Sequence, residues 1–561
     1  MNITMSGLEL SVDHRSSPPA LSGRQQSTQQ ASGAPPDDPW EEMSLPVEVA
    51  DTVHGQVELP FAWRLIIDTP QFQRLRHLQQ LGLASRVFPT ANHDRFSHSI
   101  GVAHLADRLV RKLRKRNRTH EPEGVGEIED KDVVCVGIAA LCHDLGHGPF
   151  SHLYDSDFLE KMRNEGRLSA DFKWTHERGS IDMFDHMLSE NPKVKEALES
   201  EPFGLSAKDF LFIKECIHGP MTHDKKYEGR PPNKRFLYDI VSNKEDGLDV
   251  DRFDYFLRDQ KHTGVQCEFD TNALKRLFNG VAVRRTEKGQ LRLCYASKVG
   301  RFRLHDRVYQ HKTVKAAEIL LLQAMAAADP HLRFQGNDGQ WYHMSTAMLN
   351  MAAFERLTDD VYGQMKRYDL FPELKRAADL LKQLERRQIP KLIASVAGAP
   401  RQIKSFKEKA ASSSSLAELI LGSGEETKNG PKVTSADIFV VTSTVHQGSH
   451  ERNPVHQMLF YNHKTTALQP PFHLDDDEFQ GELVDKYDVG KLAVYGRYGL
   501  EADKREEVLR RLGAFCRGAQ VTVTPRLLKR ASSESNGSGD QKEDANPKRA
   551  RKNLLAAMRD C

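Results

Sequence analysis

Residues Val133 to His152 read VVCVGIAALCHDLGHGPFSH. The first ten are apolar or glycine on every face, which predicts a buried helix and not an amphipathic surface one. Such a helix should not end in polar groups without a reason. Burying His143 and Asp144 unpaired would cost roughly several kcal/mol, and a divalent metal is the partner that satisfies a neutral imidazole and a carboxylate together. His147 falls one turn past His143, so the two share a face if the helix continues. Gly146 and Gly148-Pro149 then break the helix and let the backbone come close to a ligand. The dipeptide alone carries little, since it recurs as His93-Asp94, His223-Asp224 and His305-Asp306. Only His143-Asp144 ends a buried apolar helix and is followed by His147 and His152. The alternative reading is a satisfied structural cluster without a metal.

Working outward, a chain of 561 residues is long enough for two or more domains and a large core. Lysine and arginine number 80 against 78 acidic residues, a net charge of +2. There is no global polyelectrolyte signal, so attraction to nucleic acid has to come from local patches. The seven cysteines are scattered and form no CxxC pair, which argues for a reducing compartment and against a thiolate zinc site. The longest apolar runs are too short to span a bilayer, and no signal peptide precedes them. The expectation is a soluble intracellular protein with no membrane partner.

Residues 1–44 are rich in Ser, Gln, Pro and Gly, a composition that cannot offset its ordering entropy, and are expected to form a disordered tail. The fold should begin near Leu45. A helix is predicted over Thr69 to Leu81, capped by Asp68 or Thr69, with Pro70 in its first position and Gly82 closing it. Phe72, Leu75, Leu78 and Leu81 form its buried stripe, leaving Gln73, Arg74, Arg76, His77 and Gln80 on other faces. In NHDRFSHSIG, Asn92 to Gly101, Arg95 and His98 fall on one side of a helix, and an arginine fork beside a metal histidine suits phosphate oxygens.

Beyond the central stretch, WTHERG at Trp174 to Gly179 offers adjacent His176 and Glu177. GLDVDRFDYFLRD, Gly247 to Asp259, carries Asp249, Asp251, Asp254 and Asp259. On a helix, Asp251, Asp254 or Tyr255, and Asp259 can line one face. A favourable charge at a helix N-terminus explains the first one or two of these carboxylates, not all four. Arg301 to Lys312, RFRLHDRVYQHK, is strongly basic and leads into a helical run over Thr313 to Ala328. Ser412 to Lys432 reads as linker or flexible loop. Asp437 to Thr444, Gln457 to Tyr461 and Lys491 to Tyr495 are strand-like and suggest a small α/β lobe ending near Pro525. From Ala531 the chain is polar and carries PKRARK, Pro547 to Lys552, which reads as a nuclear localisation signal.

The order His98, His143-Asp144, Asp251 resembles the H...HD...D metal signature of the HD superfamily of phosphohydrolases. DTPQFQRLR, LCHDLGHGPFSH, WTHE, DVDRFDYFLRD and YQHK, in this order, are similar to the SAM-and-HD-domain deoxynucleoside triphosphate triphosphohydrolases over roughly Leu45 to Pro525. No helical stretch able to form a SAM domain is evident before Leu45. The fold this implies is mainly α: an HD-domain helical phosphohydrolase core over 45–400, a linker over 401–432, a smaller α/β regulatory lobe over 433–530, and a basic tail over 531–561.

By resemblance, His98, His143, Asp144 and Asp251 are the metal ligands, for zinc, iron or manganese, with magnesium accompanying the nucleotide. His147, His152, Asp155, His176 and Glu177 surround the phosphates as the catalytic group. Arg95, Arg301, Tyr255 and Asp259 hold triphosphate and sugar, and Gln80, Leu81 and Tyr309 sit at base and sugar. Arg252 stands where the family has lysine, which keeps the charge and changes the donor geometry. The implied reaction releases a deoxynucleoside and intact triphosphate, with the metal acidifying water and polarising the α-phosphoryl oxygen. His152 is the expected acid for the departing 5′ oxygen, since imidazole exchanges protons near neutrality. Leu81 and Tyr309 packed against the 2′ carbon would exclude ribose.

The resemblance also implies control by GTP and deoxynucleotide activators that assemble a homotetramer, and a role in antiviral defence. Asp68, Gln73 and Arg76 match the guanine-reading residues, and Val87, Phe88, His311, Lys312, Arg387 and Lys391 match residues near the activators. Ala50 and Ala273 replace an amide and an arginine of the family, and the segment between Cys294 and Arg301 is several residues short. Thr524-Pro525 resembles the family's proline-directed phosphorylation site. The basic segments around Arg301 and Lys548 leave single-stranded nucleic acid as a further partner, and the expected location is nuclear, with the cytoplasm as a second compartment. Two rival readings are another HD nucleotide phosphodiesterase or 5′-nucleotidase, and a nucleic-acid-binding scaffold with a vestigial metal site.

Overall fold

The computed structural model describes residues 47–120, 124–266, 269–296, 308–399, 401–406, 415–424, 430–446, 459–461, 471–473 and 488–518. The expected terminal tails, Arg301, Thr524-Pro525 and PKRARK lie outside them. A short hairpin opens the fold, β1 (Val47–Asp51) and β2 (Gly55–Leu59). The body is helical: α1 (Phe61–Ile67), α2 (Pro70–Gln73), α3 (Arg95–His120), α4 (Asp130–Cys142), α5 (Leu159–Asn164), α6 (His176–Glu190), α7 (Pro192–Glu199), α8 (Ala207–His218), α9 (Val250–Thr263) and α10 (Thr271–Gly280). After the hairpin β3 (Val281–Arg285) and β4 (Leu291–Tyr295) come α11 (Lys312–Ala328), the small hairpin β5 (Arg333–Gln335) and β6 (Trp341–His343), α12 (Met351–Glu355), α13 (Val361–Met365) and α14 (Lys375–Glu385). The chain is mainly α, as its sequence predicts.

Helix α4 is the buried helix expected from its composition, with every residue from Cys135 to Cys142 shielded from solvent. A reciprocal capping box of Glu129 and Asp132 starts it. Lys234 answers both carboxylates, at 2.7 Å each, so the buried Asp132 is paired. The helix packs between α3, α8 and α1. Two glycines set how closely the site elements approach. A Cβ on Gly101 of α3 would lie 2.1 Å from Asp254 Oδ1 of α9, and one on Gly146 would lie 2.2 Å from the His176 carbonyl oxygen.

The predicted helix over Thr69 to Leu81 is broken into pieces. Thr69 caps α2 as expected, accepting from the Phe72 N–H, and Pro70 takes the first position. A 3₁₀ turn, Arg74–His77, follows, and Leu78 is extended. The apolar spacing holds for burial at Phe72, Leu75 and Leu78, whereas Leu81, expected on the same stripe, is only half-buried and lines the cavity. Tertiary bonds override the helical period here: Gln80 N–H donates to His93 O and Arg95 N–H to Leu78 O, so Leu78–Gln80 pairs with the approach to α3 as a short bridge.

The C-terminal strands form one antiparallel sheet of order β7-β9-β8, with β7 at Lys391–Gly398, β8 at Ile438–His446 and β9 at Asp488–Gly496. Strand β7 precedes the boundary expected at 400. Within the stretch expected to be linker, Leu416–Leu421 is a helix started by a Ser415/Glu418 capping box. Its Ile420 packs with Val396, Ile438, Val494 and Val508, the last from the helix Ala502–Gly518. That buried apolar contact is what a composition rich in serine and charge conceals. Phe460, expected in a lobe strand, instead bridges Tyr295 of β4 and Phe472. Tyr495 of β9 joins sheet to body, packing on Ala316 and Ile319 of α11. No helix among the described residues is long and apolar enough to cross a membrane.

Candidate active site

Helix α4 ends at Cys142, and His143 is its C-cap. The helix does not continue, so His143 and His147 do not share a helical face; tight turns carry the chain on, with Leu145 N–H donating to Cys142 O and His147 N–H to Asp144 O. This corrects the one-turn reading and separates the residues into two adjoining clusters.

The first cluster gathers His98 from α3, His143 and Asp144 from the end of α4, and Asp251 from the first turn of α9. His98 Nε2 lies 3.0 Å from Asp251 Oδ1 and 3.6 Å from Asp144 Oδ2. His143 Nε2 lies 3.4 Å from both Asp144 Oδ1 and Asp251 Oδ1. The other ring nitrogens are committed elsewhere. His143 Nδ1 donates to Ala140 O at 2.8 Å, and His98 Nδ1 donates to Asp254 Oδ2 at 2.7 Å. Each ring is thereby fixed with Nε2 turned inward, and His143 Nε2 is buried without a hydrogen-bond partner. This is how a metal-binding histidine is held by outer partners. Burial depresses His98, but hydrogen bonds to Asp251 and Asp254 and the charges of Asp254 and Asp144 outweigh it and raise the ring to about 10. Burial likewise opposes the ionised Asp144, yet the Arg95, His143 and His147 charges hold it well below the usual carboxylate range. The cluster holds concentrated negative charge that protons or a divalent cation can satisfy, and its two nitrogens and two carboxylates suit such a cation.

The sequence puts Asp254 among several carboxylates on a single face, and the structure divides that face. Asp251, Tyr255 and Asp259, four residues apart, line a cavity of about 600 Å³. Asp254 turns to the opposite side, accepting from His54 Nε2 at 2.6 Å and from Arg258 Nε at 2.8 Å, while Arg258 Nη1 reaches Asp51 Oδ2 at 3.0 Å. His54 and Asp254 belong to the support of the site; Asp254 stands out in the sequence only as one carboxylate of a dense run, and nothing in the neighbourhood of His54 singles it out.

The second cluster holds His147, His152, Asp155 and His176, whose donor atoms all lie within 4.8 Å of one another. Asp155 sits on a π-helical turn, Leu153–Phe158, a geometry frequent at functional sites. Its Oδ2 is 3.0 Å from His176 Nδ1 and 3.5 Å from His152 Nδ1. The His147 and His176 rings stack at 4.0 Å. Thr175 caps α6, which sets His176 and Glu177 in its first turn, and Glu177 meets Lys244 at 3.3 Å. His152 is exposed, with 70% of its side chain open to solvent, which leaves it free to meet a ligand.

Gln80, Leu81, Arg95 and Tyr309 line the same cavity. Arg95 bonds to Asp144 and donates from Nε to Ser151 Oγ at 3.0 Å. Tyr309 donates to Asp259 Oδ2 at 2.6 Å, and Asp259 Oδ1 also accepts from His93 at 2.9 Å. Gln80 Oε1 is buried without a partner. Arg252 does not line the cavity, and its guanidinium lies beside Gly247.

The residues matched to activator contacts are separate from this cavity. Asp68 and Arg76 are exposed; Arg76 Nε donates to Gln73 Oε1 at 2.8 Å, and its guanidinium lies over the Phe96 ring. Val87 and Phe88 follow the 3₁₀ turn Gly82–Arg86, and the Phe88 ring lies 5.7 Å from that of His311, which caps α11. Lys312, Arg387 and Lys391 are exposed, and Arg387 has a positive φ of 59°.

The HD domain family model matches residues 95–240, which covers His98, His143 and Asp144 and stops short of Asp251. Deoxynucleoside triphosphate triphosphohydrolase SAMHD1 of Homo sapiens is 39% identical over 462 residues, spanning 80% of this chain and 70% of that protein. This chain belongs to the SAMHD1 family of triphosphohydrolases. SAMHD1 of Gallus gallus is 40% identical over 427 residues, covering 73% of this chain and 66% of that one. The SAMHD1 homolog of Dictyostelium discoideum is 30% identical over 451 residues, covering 78% and 76%. The SAMHD1 likeness thus extends well beyond the HD segment.

Proposed function

We propose that this chain hydrolyses deoxynucleoside triphosphates to the deoxynucleoside and intact triphosphate, with a divalent metal at His98, His143, Asp144 and Asp251. The observation that carries the reading is the pair of ring-locked histidines whose Nε2 atoms converge on two carboxylates at the wall of a cavity of about 600 Å³. A divalent cation there supplies Lewis-acid chemistry, acidifying water and polarising a phosphoryl oxygen.

The chain's own residues do the rest. Asp254 and the Ala140 carbonyl orient the two rings, and Arg95 anchors Asp144 while presenting positive charge to phosphate. Water oxygen bonds to the α-phosphorus and releases a proton to solvent as the bond to the 5′ oxygen breaks, and the 5′ oxygen takes a proton from His152, which Asp155 orients. His147, His176 and Glu177 border the phosphates, and Asp259 fixes the Tyr309 hydroxyl. Leu81 and Tyr309, packed against the 2′ carbon, select deoxyribose, and Gln80 faces base or sugar.

Activation by GTP at Asp68, Gln73 and Arg76, with a deoxynucleotide beside it and assembly to a homotetramer, belongs to the same reading. So do magnesium with the nucleotide and a nuclear location through PKRARK. Hydrolysis of dGTP with and without GTP in ¹⁸O-labelled water tests the reaction: label is expected on triphosphate alone. Pyrophosphate plus a monophosphate, or single phosphate, would place the chain with the phosphodiesterases or nucleotidases. No turnover under any nucleotide condition would favour the scaffold.

A further inference from the structure

The turn between His147 and His152, within the second cluster, is strained. Phe150 and Ser151 have φ of 59° and 58°, a left-handed region that side chains other than glycine rarely adopt. A conformation of that kind persists only where its surroundings over-determine it. Here the turn carries His147 on one side and His152 on the other, so its shape sets where both imidazoles stand.

One carboxylate from far along the chain holds it. Asp359, between α12 and α13, accepts the Phe150 N–H on Oδ1 at 2.6 Å. Its Oδ2 accepts the Gln79 N–H at 2.9 Å, and its own N–H donates to His77 O at 3.1 Å. Gln79 precedes Gln80 and Leu81, the base and sugar side of the cavity. The Ser151 hydroxyl closes the ring by donating to Gln79 O at 2.8 Å. From the same segment, Leu357 O accepts from Arg74, which also donates to His147 O. Arg74 and Arg95 are the charged groups facing Asp359, and their pull does not offset burial, which pushes the carboxyl up to about 6. Holding it ionised near neutral pH therefore opposes stability, as expected of a group kept for position.

We infer that Asp359 is a positioning residue that fixes the sugar-side wall, Gln79–Leu81, against the phosphate-side turn, Phe150–His152, and so sets the span between base and reacting phosphorus. The inference rests on the proposed triphosphohydrolase reading for its kinetic consequence only. Asp359 does not line the cavity, and it lies outside the segment matched to the HD domain.

The test is Asp359→Asn, which replaces one acceptor oxygen by a donor, with Asp359→Glu as the second variant, which keeps the charge and displaces it by one methylene. Hydrogen exchange is read on peptides containing Gln79 and Phe150, alongside kcat and KM for dGTP, metal content and circular dichroism. For Asp359→Asn, losing one hydrogen bond should speed exchange in both peptides about tenfold. The misplaced walls should lower kcat/KM about 100-fold, mainly through kcat, with metal content unchanged. Asp359→Glu should show the same pattern at smaller amplitude, and serves alone if the Asn variant does not fold. A folded variant with unaltered exchange, or with faster exchange and kcat/KM within about threefold of the unmodified chain, overturns the inference. If the unmodified chain cleaves no deoxynucleoside triphosphate, the function reading fails, while the exchange measurement still decides the clamp.

Discussion

His98 Nδ1 donates to Asp254 Oδ2 across 2.7 Å, and that carboxylate simultaneously accepts from His54 and Arg258. The bond fixes which ring nitrogen of His98 faces Asp144 and Asp251. Asp254→Asn is expected to weaken metal binding about 10- to 100-fold, the usual effect of losing such a partner. Metal retained after dialysis against graded chelator measures it, and unchanged retention would show that the ring is oriented by other means. Asp254→Ala leaves Arg258 buried and uncompensated on that side, which should lower unfolding free energy by about 3–5 kcal/mol.

Replacing His143 and Asp144 together by alanine should abolish turnover and metal binding while leaving helical circular dichroism close to that of the unmodified chain. The fold survives because α4 is held by apolar packing upstream of His143. A folded double variant that still hydrolyses dGTP would place the reaction elsewhere.

Asp246 gives a prediction about pH that is independent of activity. Burial, reinforced by the Asp239 charge, pushes its carboxyl up to about 7. One oxygen accepts from Asn243 Nδ2 and Leu248 N–H, while Oδ2 is buried without a partner. The folded state therefore holds this proton at pH values where the unfolded chain has lost it. Its contribution is present in full below the unfolded carboxylate value and is lost as pH rises through about 7. Asp246→Asn should flatten that loss, gaining on the order of 2 kcal/mol at pH 8 relative to pH 5. Urea denaturation at the two pH values reads the difference; parallel shifts in both proteins would count against it.

Activation should depend on Asp68, whose exposed carboxylate can accept from the N1 and N2 donors of guanine. Asp68→Ala is expected to raise the GTP concentration needed for assembly about tenfold or more. Ala50 and Ala273 lack the polar groups of the family, so the adjoining deoxynucleotide should bind more weakly. Sedimentation, titrating GTP alone and then dATP at saturating GTP, follows the tetramer fraction. A tetramer fully formed without nucleotide would show that this control has been replaced.

Deleting Pro547 to Lys552 should shift the chain from nucleus to cytoplasm. An unchanged nuclear-to-cytoplasmic ratio would leave PKRARK as a solubilising patch.

The buried helix α4 is legible in its residues alone, because an apolar run on all faces has no other stable place. Although the choice of Tyr255 over Asp254 on the cavity wall comes from the folded structure, the sequence also places His143-Asp144 at the polar end of that run and allows Asp251 and Asp259 one helical face. These are local properties: helical period and capping follow from neighbours within a turn or two. Long-range contacts, and not local sequence, make Leu78–Gln80 leave the helix to bridge the start of α3, turn Asp254 from the cavity to hold His98, and fold Leu416–Leu421 onto the sheet. The same holds for Asp359, which reaches back across the chain to pin Gln79 and Phe150. Each of these depends on hydrogen bonds or buried contacts between residues far apart in sequence, where one partner's identity carries no information about the other's. The first aspartate of TDD, Thr358 to Asp360, looks like any solvated carboxylate until the two N–H groups it accepts from are brought beside it.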